Sequence, residues 1–341
     1  MLIAFSSAPA RILIVKPSAI GDVVHTLPVL NLLRKTFPDA EISWLATPAV
    51  AGILEGHPQL DRVILFDRKA LSRGWWRPGG YARIRSLLQS LRRPGFDLVI
   101  DLQGLFRSGL LTRITGAPNR VGFAAARELA PMFYTDRVEV GSPEQHALER
   151  YLTLAESVGC GRSPVEFQFP TDDADRVAVD AMLPDAGGYV VLLPSTNWPT
   201  KRWPAEYFAE LVGPLYSRFG LTSVVAGGPD ALEAARLMPN AINLVGKTSL
   251  RQLVALFERA ALVIANDTGP MHIAAALGRP LVTPYGPTNP VRTGPFGRMD
   301  TVARVDIPCS PCYSRTCSHQ SCMKWLKVEA VLKLAEAQLG K

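Results

Sequence analysis

A turn in the second half of the chain has the residue types that bind phosphate. An apolar run at residues 261–265 ends at Asn-Asp-Thr-Gly-Pro-Met-His, residues 266–272, where a helix of small residues begins. A helix start exposes unpaired N–H groups and the positive end of the helix dipole, which favours a phosphate or diphosphate. Thr268 is a capping residue type, Gly269 lets a ligand approach the backbone, and Pro270 suits a first helical turn. The alternative interpretation is a capped helix without a ligand.

Other polar side chains would surround such a ligand. Asp267 and His272 flank the turn, where they could contact sugar hydroxyls or phosphate. A polar loop at residues 194–204 follows another apolar run, and its hydroxyls and Lys201 could bind phosphate oxygens. The alternative for Lys201 and Arg202 is a pair of solvated charges.

A third turn, residues 16–22, joins the apolar run at residues 11–15 to a helix. It lacks the Gly-x-Gly-x-x-Gly spacing, so the dinucleotide fingerprint is absent. Asp22 lies at the helix start. It is either a helix cap or a general base for a hydroxyl nucleophile, and its position alone favours neither.

Apolar strand candidates alternate with amphipathic helices, which predicts an α/β fold with two doubly wound parallel sheets. The predicted strands are residues 11–15, 42–45, 63–66, 98–102, 189–193, 223–226, 261–265 and 280–286. The main predicted helices are residues 23–36, 143–159, 204–219 and 250–260. A Pro- and Asp-rich stretch at residues 161–188 predicts the linker. Ligands of such sheets bind beyond the carboxyl ends of the strands, so we expect the site in the cleft between the domains.

The composition is that of a globular protein. The chain has 341 residues, 48% of them hydrophobic and 20% charged, which suits two domains. No stretch approaches the roughly 20 apolar residues of a membrane span, and the first residues lack a basic signal-peptide region. We therefore expect a cytoplasmic protein. The net charge of +7 favours an anionic partner: nucleic acid, an acidic membrane or a phosphorylated substrate.

Basic residues cluster at residues 67–93, with Trp75 and Trp76 among them. Such a segment suits a surface that contacts anionic glycolipid and the membrane interface. The alternative is a solvated helix face with a partly buried Trp pair. The basic residues are Arg68, Lys69, Arg73, Arg77, Arg83, Arg85, Arg92 and Arg93.

Four cysteines near the C-terminus have the spacing C-x2-C-x4-C-x4-C, while Cys160 stands alone. Four thiols so close together in a cytoplasmic chain favour a metal site over disulfides. Tetrahedral zinc is the first expectation and iron the second, in a structural role. The four residues are Cys309, Cys312, Cys317 and Cys322.

Two other classes of protein agree less well with the chain. A nucleic-acid-binding protein could use the basic balance and the cysteines, but no aromatic-basic recognition module is present. A non-catalytic scaffold has no need for Asp22, Lys201 and Asp267 at three turns that follow strands.

Taken together, five segments resemble the ADP-heptose:lipopolysaccharide heptosyltransferases, glycosyltransferase family 9. The resemblance runs in the same order from about Arg11 to the C-terminus. Some heptosyltransferases also carry similar cysteines near Cys309 and Cys312. The segments are residues 14–28, 101–105, 201–204, 266–272 and 284–288.

The resemblance implies a GT-B fold, with two Rossmann-like domains that face a central cleft. The acceptor domain would be residues 1–165 and the nucleotide-sugar domain residues 185–322, with the cysteine-rich segment at 309–322. A C-terminal helix within residues 323–341 would cross back to the first domain.

The implied reaction is an inverting transfer of heptose from ADP-heptose to a hydroxyl of the inner core, on Kdo or heptose. No metal cofactor is implied for the chemistry. The implied partners are ADP-heptose, an anionic acceptor of the lipid A–Kdo type and the cytoplasmic face of the inner membrane, with no nucleic acid. The alternative is a transferase of the same fold with another nucleotide sugar or a protein acceptor.

The resemblance also assigns roles to residues. Asp22 would be the general base. Lys201, the Thr268 and Gly269 N–H groups and the helix dipole would stabilise the departing diphosphate. Asp267 would hold heptose hydroxyls. The remaining donor contacts would come from Ser195, Thr196, Gly228 and His272.

The adenosine would lie near residues 227–228 and 246–248. Either Asp230 or Glu233 would bind the ribose, and both remain open.

For the acceptor, the resemblance implies contacts from basic side chains of the first domain. The middle of that domain looks like enzymes that add the first heptose, whereas the cysteines look like those that add later ones, so the acceptor hydroxyl stays open. So does the epimer of the sugar. The acceptor-binding residues would be Lys16, Arg68, Arg73, Arg77, Arg107 and Arg127.

Overall fold

The chain folds into two compact units, Met1–Pro170 and Thr171–Lys341. The structure, a computed structural model, describes residues 2–67, 78–183 and 187–340. Part of the stretch predicted as a linker, residues 161–188, is the helix Asp173–Met182, which packs on the helix Leu250–Arg259. The second unit therefore begins before the predicted residue 185.

The described residues of the first unit form a six-stranded parallel sheet in the order β3-β2-β1-β4-β5-β6. This order reverses direction after β1, so β1 and β4 are neighbours and Val15 pairs with Asp101. The strands are β1 Arg11–Val15, β2 Glu41–Ala46, β3 Arg62–Leu65, β4 Leu98–Asp101, β5 Asn119–Phe123 and β6 Asp136–Val138.

The second unit repeats the arrangement. Its described strands form a parallel sheet in the order β12-β11-β10-β7-β8-β9, with β7 and β10 as the central neighbours. This is the same order as in the first unit when the strands are counted from β7. The strands are β7 Tyr189–Leu193, β8 Thr222–Val225, β9 Ile242–Asn243, β10 Leu262–Ala265, β11 Leu281–Tyr285 and β12 Val302–Arg304.

Helices cover the first sheet. The predicted helix at residues 23–36 is divided in two, because a new helix begins after Thr26 with Pro28 in its first turn. The helices are Ile20–Val24, Leu27–Thr36, Pro48–Ala51, Pro78–Arg92, Phe106–Ile114 and Ala147–Ser157, with a 3-10 turn at Ala130–Phe133.

The helices of the second unit begin and end close to the predicted residues where the pattern was strong. They are Asp173–Met182, Ala205–Phe219, Leu232–Arg236, Leu250–Arg259, Gly269–Ala276, Pro290–Thr293, Ser321–Lys324 and Val328–Leu339, with 3-10 turns at Pro199–Lys201, Pro229–Ala231 and Met299–Thr301. No helix in the described ranges combines the length and apolar character of a membrane span.

The C-terminal helix Val328–Leu339 packs against the helix Ala205–Phe219 and the strands β10, β11 and β12. Its buried face includes Val331, Leu332 and Ala335. These contacts lie within the second unit, and the return to the first domain that the resemblance implied stays a prediction. The apolar face of the helix is thus buried against elements of its own unit.

The central strands are buried on both faces, which explains why they appear in the sequence as continuous apolar runs. Residues 12–15 of β1 and 262–265 of β10 are fully buried. The backbone at the carboxyl ends of these strands is therefore held in place by the sheet, and the turns that follow them start from fixed positions.

Candidate functional site

In both units the polar turns follow the two strands where the strand order reverses. The turn after β1 carries Lys16 and Asp22, and the turn after β4 carries Gln103. In the second unit, the turns after β7 and β10 carry Lys201 and Asp267. Ligands of doubly wound sheets bind at this switch point, so each unit has one candidate site.

The site of the second unit is centred on an ion pair. Lys201 Nζ lies 2.6 Å from Asp267 Oδ2, and Thr288 Oγ1 donates to the same oxygen at 2.6 Å. The side chain of Lys201 is 15% exposed and that of Asp267 is 6% exposed, so water screens the pair little. The ion pair brings a cation for phosphate and a carboxylate for hydroxyl groups into one place.

Asn266 fixes the loop that carries Lys201. Its side-chain nitrogen donates to Pro194 O at 2.7 Å, and its oxygen accepts from the Trp203 N–H at 3.0 Å. Thr196 Oγ1 donates to Asp267 O at 3.0 Å and the residue is buried. The Thr196 hydroxyl proton is thus used within the protein, although the resemblance implied a phosphate contact.

The helix after β10 starts at the predicted turn. It spans Gly269–Ala276, with Pro270 in its first turn. Thr268 is the N-cap residue in extended conformation, but its side chain makes no capping hydrogen bond, contrary to the predicted cap. The Thr268 hydroxyl therefore does not occupy the helix start. His272 is buried on this helix.

Two turns with glycine complete this edge of the second sheet. Gly227 has φ +131°, and a Cβ added there would lie 3.3 Å from Ser195 Oγ. Ser195 therefore lies beside the end of β8. A Cβ at Gly228 would lie 2.9 Å from Asp230 Oδ1. The φ of Gly227 favours glycine at this turn, which is where the adenosine was predicted.

Sequence reasoning missed two residues near Lys201. Lys201 Nζ lies 4.7 Å from the ring centroid of Trp198, and the Arg315 guanidinium carbon lies 4.5 Å from it. Trp198 thus holds both cations by cation–π contact. The position of Trp198 in the polar loop could have indicated a contact with Lys201. Arg315 lies over 110 residues further along the chain, and nothing in the sequence links it to this loop.

The cysteine-rich segment at residues 309–322 is docked on the same loops. The N–H groups of Cys312 and Tyr313 donate to Pro287 O at 3.0 and 2.7 Å. Thr200 Oγ1 donates to Ser314 O at 2.8 Å. Thr288 and Lys201, the neighbours of these contacts, both bind Asp267 directly. The segment therefore supports the loops that carry the ion pair, and it places Arg315 next to Trp198 in one of these loops.

The four cysteines of this segment are free thiols. Burial, and then the neighbouring thiols of Cys312, Cys309 and Cys317, raise the pKa of Cys322. The four thiols are thus near one another. In the described part of the chain, however, no group of three or more His, Cys, Asp or Glu side chains is arranged to hold a metal ion. The predicted metal site has no support from this geometry and stays a prediction.

In the first unit, Asp22 is held by two hydrogen bonds. Its Oδ1 accepts from the Tyr151 hydroxyl at 3.1 Å and its Oδ2 accepts from the Ala19 N–H at 3.3 Å. The second contact is that of a capping residue, so Asp22 does cap the helix Ile20–Val24. The side chain is nevertheless 41% exposed, which leaves it accessible to a ligand. The two interpretations of Asp22 are compatible.

Lys16 lies beneath Asp22. Its Nζ donates to Leu102 O and to the Tyr151 hydroxyl, both at 2.8 Å, and lies 3.9 Å from Asp22 Oδ1. The residue is only 3% exposed, and its predicted contact with the acceptor stays a prediction. Lys16 instead orients Asp22 through Tyr151.

The electrostatics of this group follow from burial. Burial lowers the pKa of Lys16, and the charges of Asp22 and Asp101 oppose that shift. Burial and the Asp22 charge raise the pKa of Tyr151 well above its usual value. Tyr151 therefore keeps its proton and remains a donor to the Asp22 carboxylate.

A cavity of about 460 Å³ opens at the same edge of the first sheet. Gln103 is part of the lining, and its Oε1 is buried without a hydrogen-bond partner among the described residues. Arg107 lines the cavity. Arg127 is exposed, and its backbone N–H donates to the carbonyl of Gly104 at 3.1 Å. Arg68, Arg73 and Arg77 lie outside the described residues. Further lining residues are Ser18, Thr47, Phe66 and Leu111.

Comparison with known proteins gives consistent matches. The model of glycosyltransferase family 9 (heptosyltransferase) matches residues 84–323. Lipopolysaccharide heptosyltransferase 1 of Pseudomonas aeruginosa is 33% identical over 91% of this chain and 88% of its own length. The protein of the same name from Escherichia coli K12 is 32% identical over 86% of this chain and 93% of its own length.

Solved structures agree. E. coli heptosyltransferase WaaC with ADP matches with a TM-score of 0.79 and 29% identity, over 96% of this chain and 99% of that one. WaaC with ADP-2-deoxy-2-fluoro heptose matches with a TM-score of 0.75 and 30% identity over the same shares. The similarity covers both units.

The spacing of the four cysteines predicts stoichiometric zinc or iron in protein purified under reducing conditions. Metal analysis by mass spectrometry checks this, with thiol titration as a second readout. Cys312→Ser should lower the metal content and the melting temperature, because a tetrahedral site needs all its ligands. Cys160→Ser is the matched control. Metal-free protein with four reactive thiols would reject the site.

Proposed function

Because this chain belongs to glycosyltransferase family 9, the heptosyltransferases, we propose that it transfers heptose from ADP-heptose to the lipopolysaccharide inner core. The ion pair of Lys201 and Asp267 at the switch point of the second sheet carries this proposal. It combines a diphosphate-binding cation with a sugar-binding carboxylate, and WaaC, which has a similar fold, is solved with a heptose nucleotide.

The donor would bind to the second unit. Lys201 and the N–H groups at the start of Gly269–Ala276 would neutralise the diphosphate as it departs, so the protein itself would supply the positive charge. Asp267 would accept hydrogen bonds from heptose hydroxyls. Arg315, held over Trp198, would add a second cation on the side of Lys201. The adenosine would lie along residues 227–228.

Asp22 would act as the general base. As the acceptor oxygen attacks the anomeric carbon from the face opposite the diphosphate, the proton of that hydroxyl would pass to Asp22, which inverts the configuration. The hydrogen bond from Tyr151 would orient the carboxylate, and Lys16 would hold Tyr151 in place. Mutual positioning of base and donor is expected to supply much of the rate.

The acceptor would be anionic and would bind to the first unit. Arg107 on the cavity wall and the exposed Arg127 would pair with its carboxylates or phosphates. Both relatives compared above are named heptosyltransferase 1, which favours the first heptose, added to Kdo, over a later one. We expect the enzyme to work at the cytoplasmic face of the inner membrane.

A panel of truncated core acceptors tests the proposed function. With ADP-heptose, the chain should add one heptose mass to a Kdo-terminated acceptor and little to a heptose-terminated one, read by mass spectrometry. UDP- and GDP-sugars serve as donor controls. Transfer from another nucleotide sugar, or to a protein, would overturn the assignment.

Replacing the base separates chemistry from binding. Asp22→Asn should lower kcat by orders of magnitude with nearly unchanged ADP affinity, because the amide cannot accept the proton. Tyr151→Phe should cost less, about tenfold, because it removes only the orienting hydrogen bond. Turnover with saturating acceptor and calorimetry with ADP are the two measurements.

Asp39→Asn, an exposed carboxylate of the same unit, is the matched control and should behave as the wild type. Near-normal turnover of Asp22→Asn would remove Asp22 from the role of base.

Removing the cations tests the donor site. Lys201→Ala should weaken ADP binding by about tenfold or more, because a charge-assisted contact in a nearly buried site is lost. Arg315→Ala should weaken it by about three- to tenfold, since its side chain is exposed. Both losses should be absent for adenosine, which lacks the diphosphate.

Arg218→Ala, far along the helix Ala205–Phe219, controls for a general loss of charge. Equal losses for ADP and adenosine would show that the variants disturb the fold of the loop instead of the phosphate contacts.

A further inference from the structure

An exposed face of the first unit combines large apolar side chains with arginines. It is formed by the helix Phe106–Ile114 and the turn Ala130–Phe133 with its flanking residues. Its apolar side chains are strongly exposed: Phe106 43%, Leu110 39%, Leu129 73% and Met132 63%. We call this surface the apolar-basic face.

The two elements of this face form one rigid surface. The rings of Phe106 and Phe133 pack edge to face at 5.2 Å. A Cβ added to Gly109 would lie 2.7 Å from Phe133 and 3.1 Å from Ala130 O, so helix and turn touch without space between them. The exposed apolar groups are thus held outward by a packed base.

Positive charge surrounds these apolar groups. Glu128, the acidic residue next to Leu129, already accepts from the Phe106 N–H at 3.3 Å at the start of the helix. Asp136 accepts a hydrogen bond from Thr135. The cations of the face are all exposed: Arg107, Arg113, Arg127 and Arg137.

Apolar groups among arginines match the chemistry of one partner best. A bilayer interface with anionic headgroups offers acyl chains to the apolar groups and phosphates to the arginines, so both kinds of side chain contribute to binding. A nucleic acid would leave Leu129 and Met132 without apolar contact. A free anion would need the arginines alone.

The face is also continuous with the candidate acceptor site. Leu105 and Arg107 line the cavity at the edge of the first sheet and begin the same helix. A lipid-linked acceptor could therefore keep its acyl chains in the bilayer while its sugars reach the cavity.

We propose that the apolar-basic face docks this enzyme on an anionic lipid bilayer and presents the acceptor cavity to the membrane surface. The link to the acceptor rests on the proposed function, but the binding of lipid does not.

Vesicle flotation tests the face without donor or acceptor. Wild-type protein should float with phosphatidylcholine vesicles that contain phosphatidylglycerol, less so at high salt, and not with phosphatidylcholine alone. Leu129→Ser/Met132→Ser should reduce partitioning by about fivefold or more, because two apolar anchors are lost. Transfer to a lipid-free acceptor should be unchanged.

The matched control is Val177→Ser/Tyr216→Ser, which removes two equally exposed apolar side chains of the second unit (67% and 68% exposed) and should leave flotation unchanged. Flotation of the Leu129→Ser/Met132→Ser protein at the wild-type level, or equal binding of the wild type to neutral vesicles, would overturn the proposal. Lack of transfer to every acceptor, with flotation intact, would instead refute only the proposed function.

Discussion

The buried carboxylate of Asp267 organises the second unit. One of its oxygens receives both Lys201 and Thr288, and those two residues lie on loops that the cysteine-rich segment joins. Removing one partner of such a pair costs about 3–5 kcal/mol, because the other charge stays buried. A ligand that separates the ion pair must therefore replace both interactions, and the diphosphate and sugar hydroxyls of the proposed donor are groups of the right kind to do so.

The carboxylate of the first unit differs from Asp267, because the base proposed there must be reachable by the acceptor. Asp22 is 41% exposed while its cationic neighbour Lys16 is 3% exposed. The buried amine of Lys16 donates to the Tyr151 hydroxyl, and that hydroxyl donates to the Asp22 carboxylate.

Most of the fold could be predicted from apolar runs, because the central strands β1, β4, β7 and β10 are buried on both faces. The strands β5, β6, β9 and β12 were missed, since they are short or interrupted by polar residues. The turns that follow central strands were found for the same reason as the strands. Contacts between distant segments could not be predicted, because they leave no local pattern in the sequence. Examples are Tyr151 with Asp22 and Arg315 with Trp198.

Residue type alone does not show which way a side chain points. Lys16 and Thr196 follow central strands, as ligand-binding residues do, yet both side chains turn inward to satisfy buried backbone carbonyls at Leu102 and Asp267. A buried carbonyl without a donor is costly, so the polar residues nearest the sheet are used for structure first. The Asp267 side chain, which is as near to its strand as Thr196, instead contacts Lys201 and Thr288. The direction of a polar side chain near a strand end thus depends on contacts between distant segments, which the local sequence does not show.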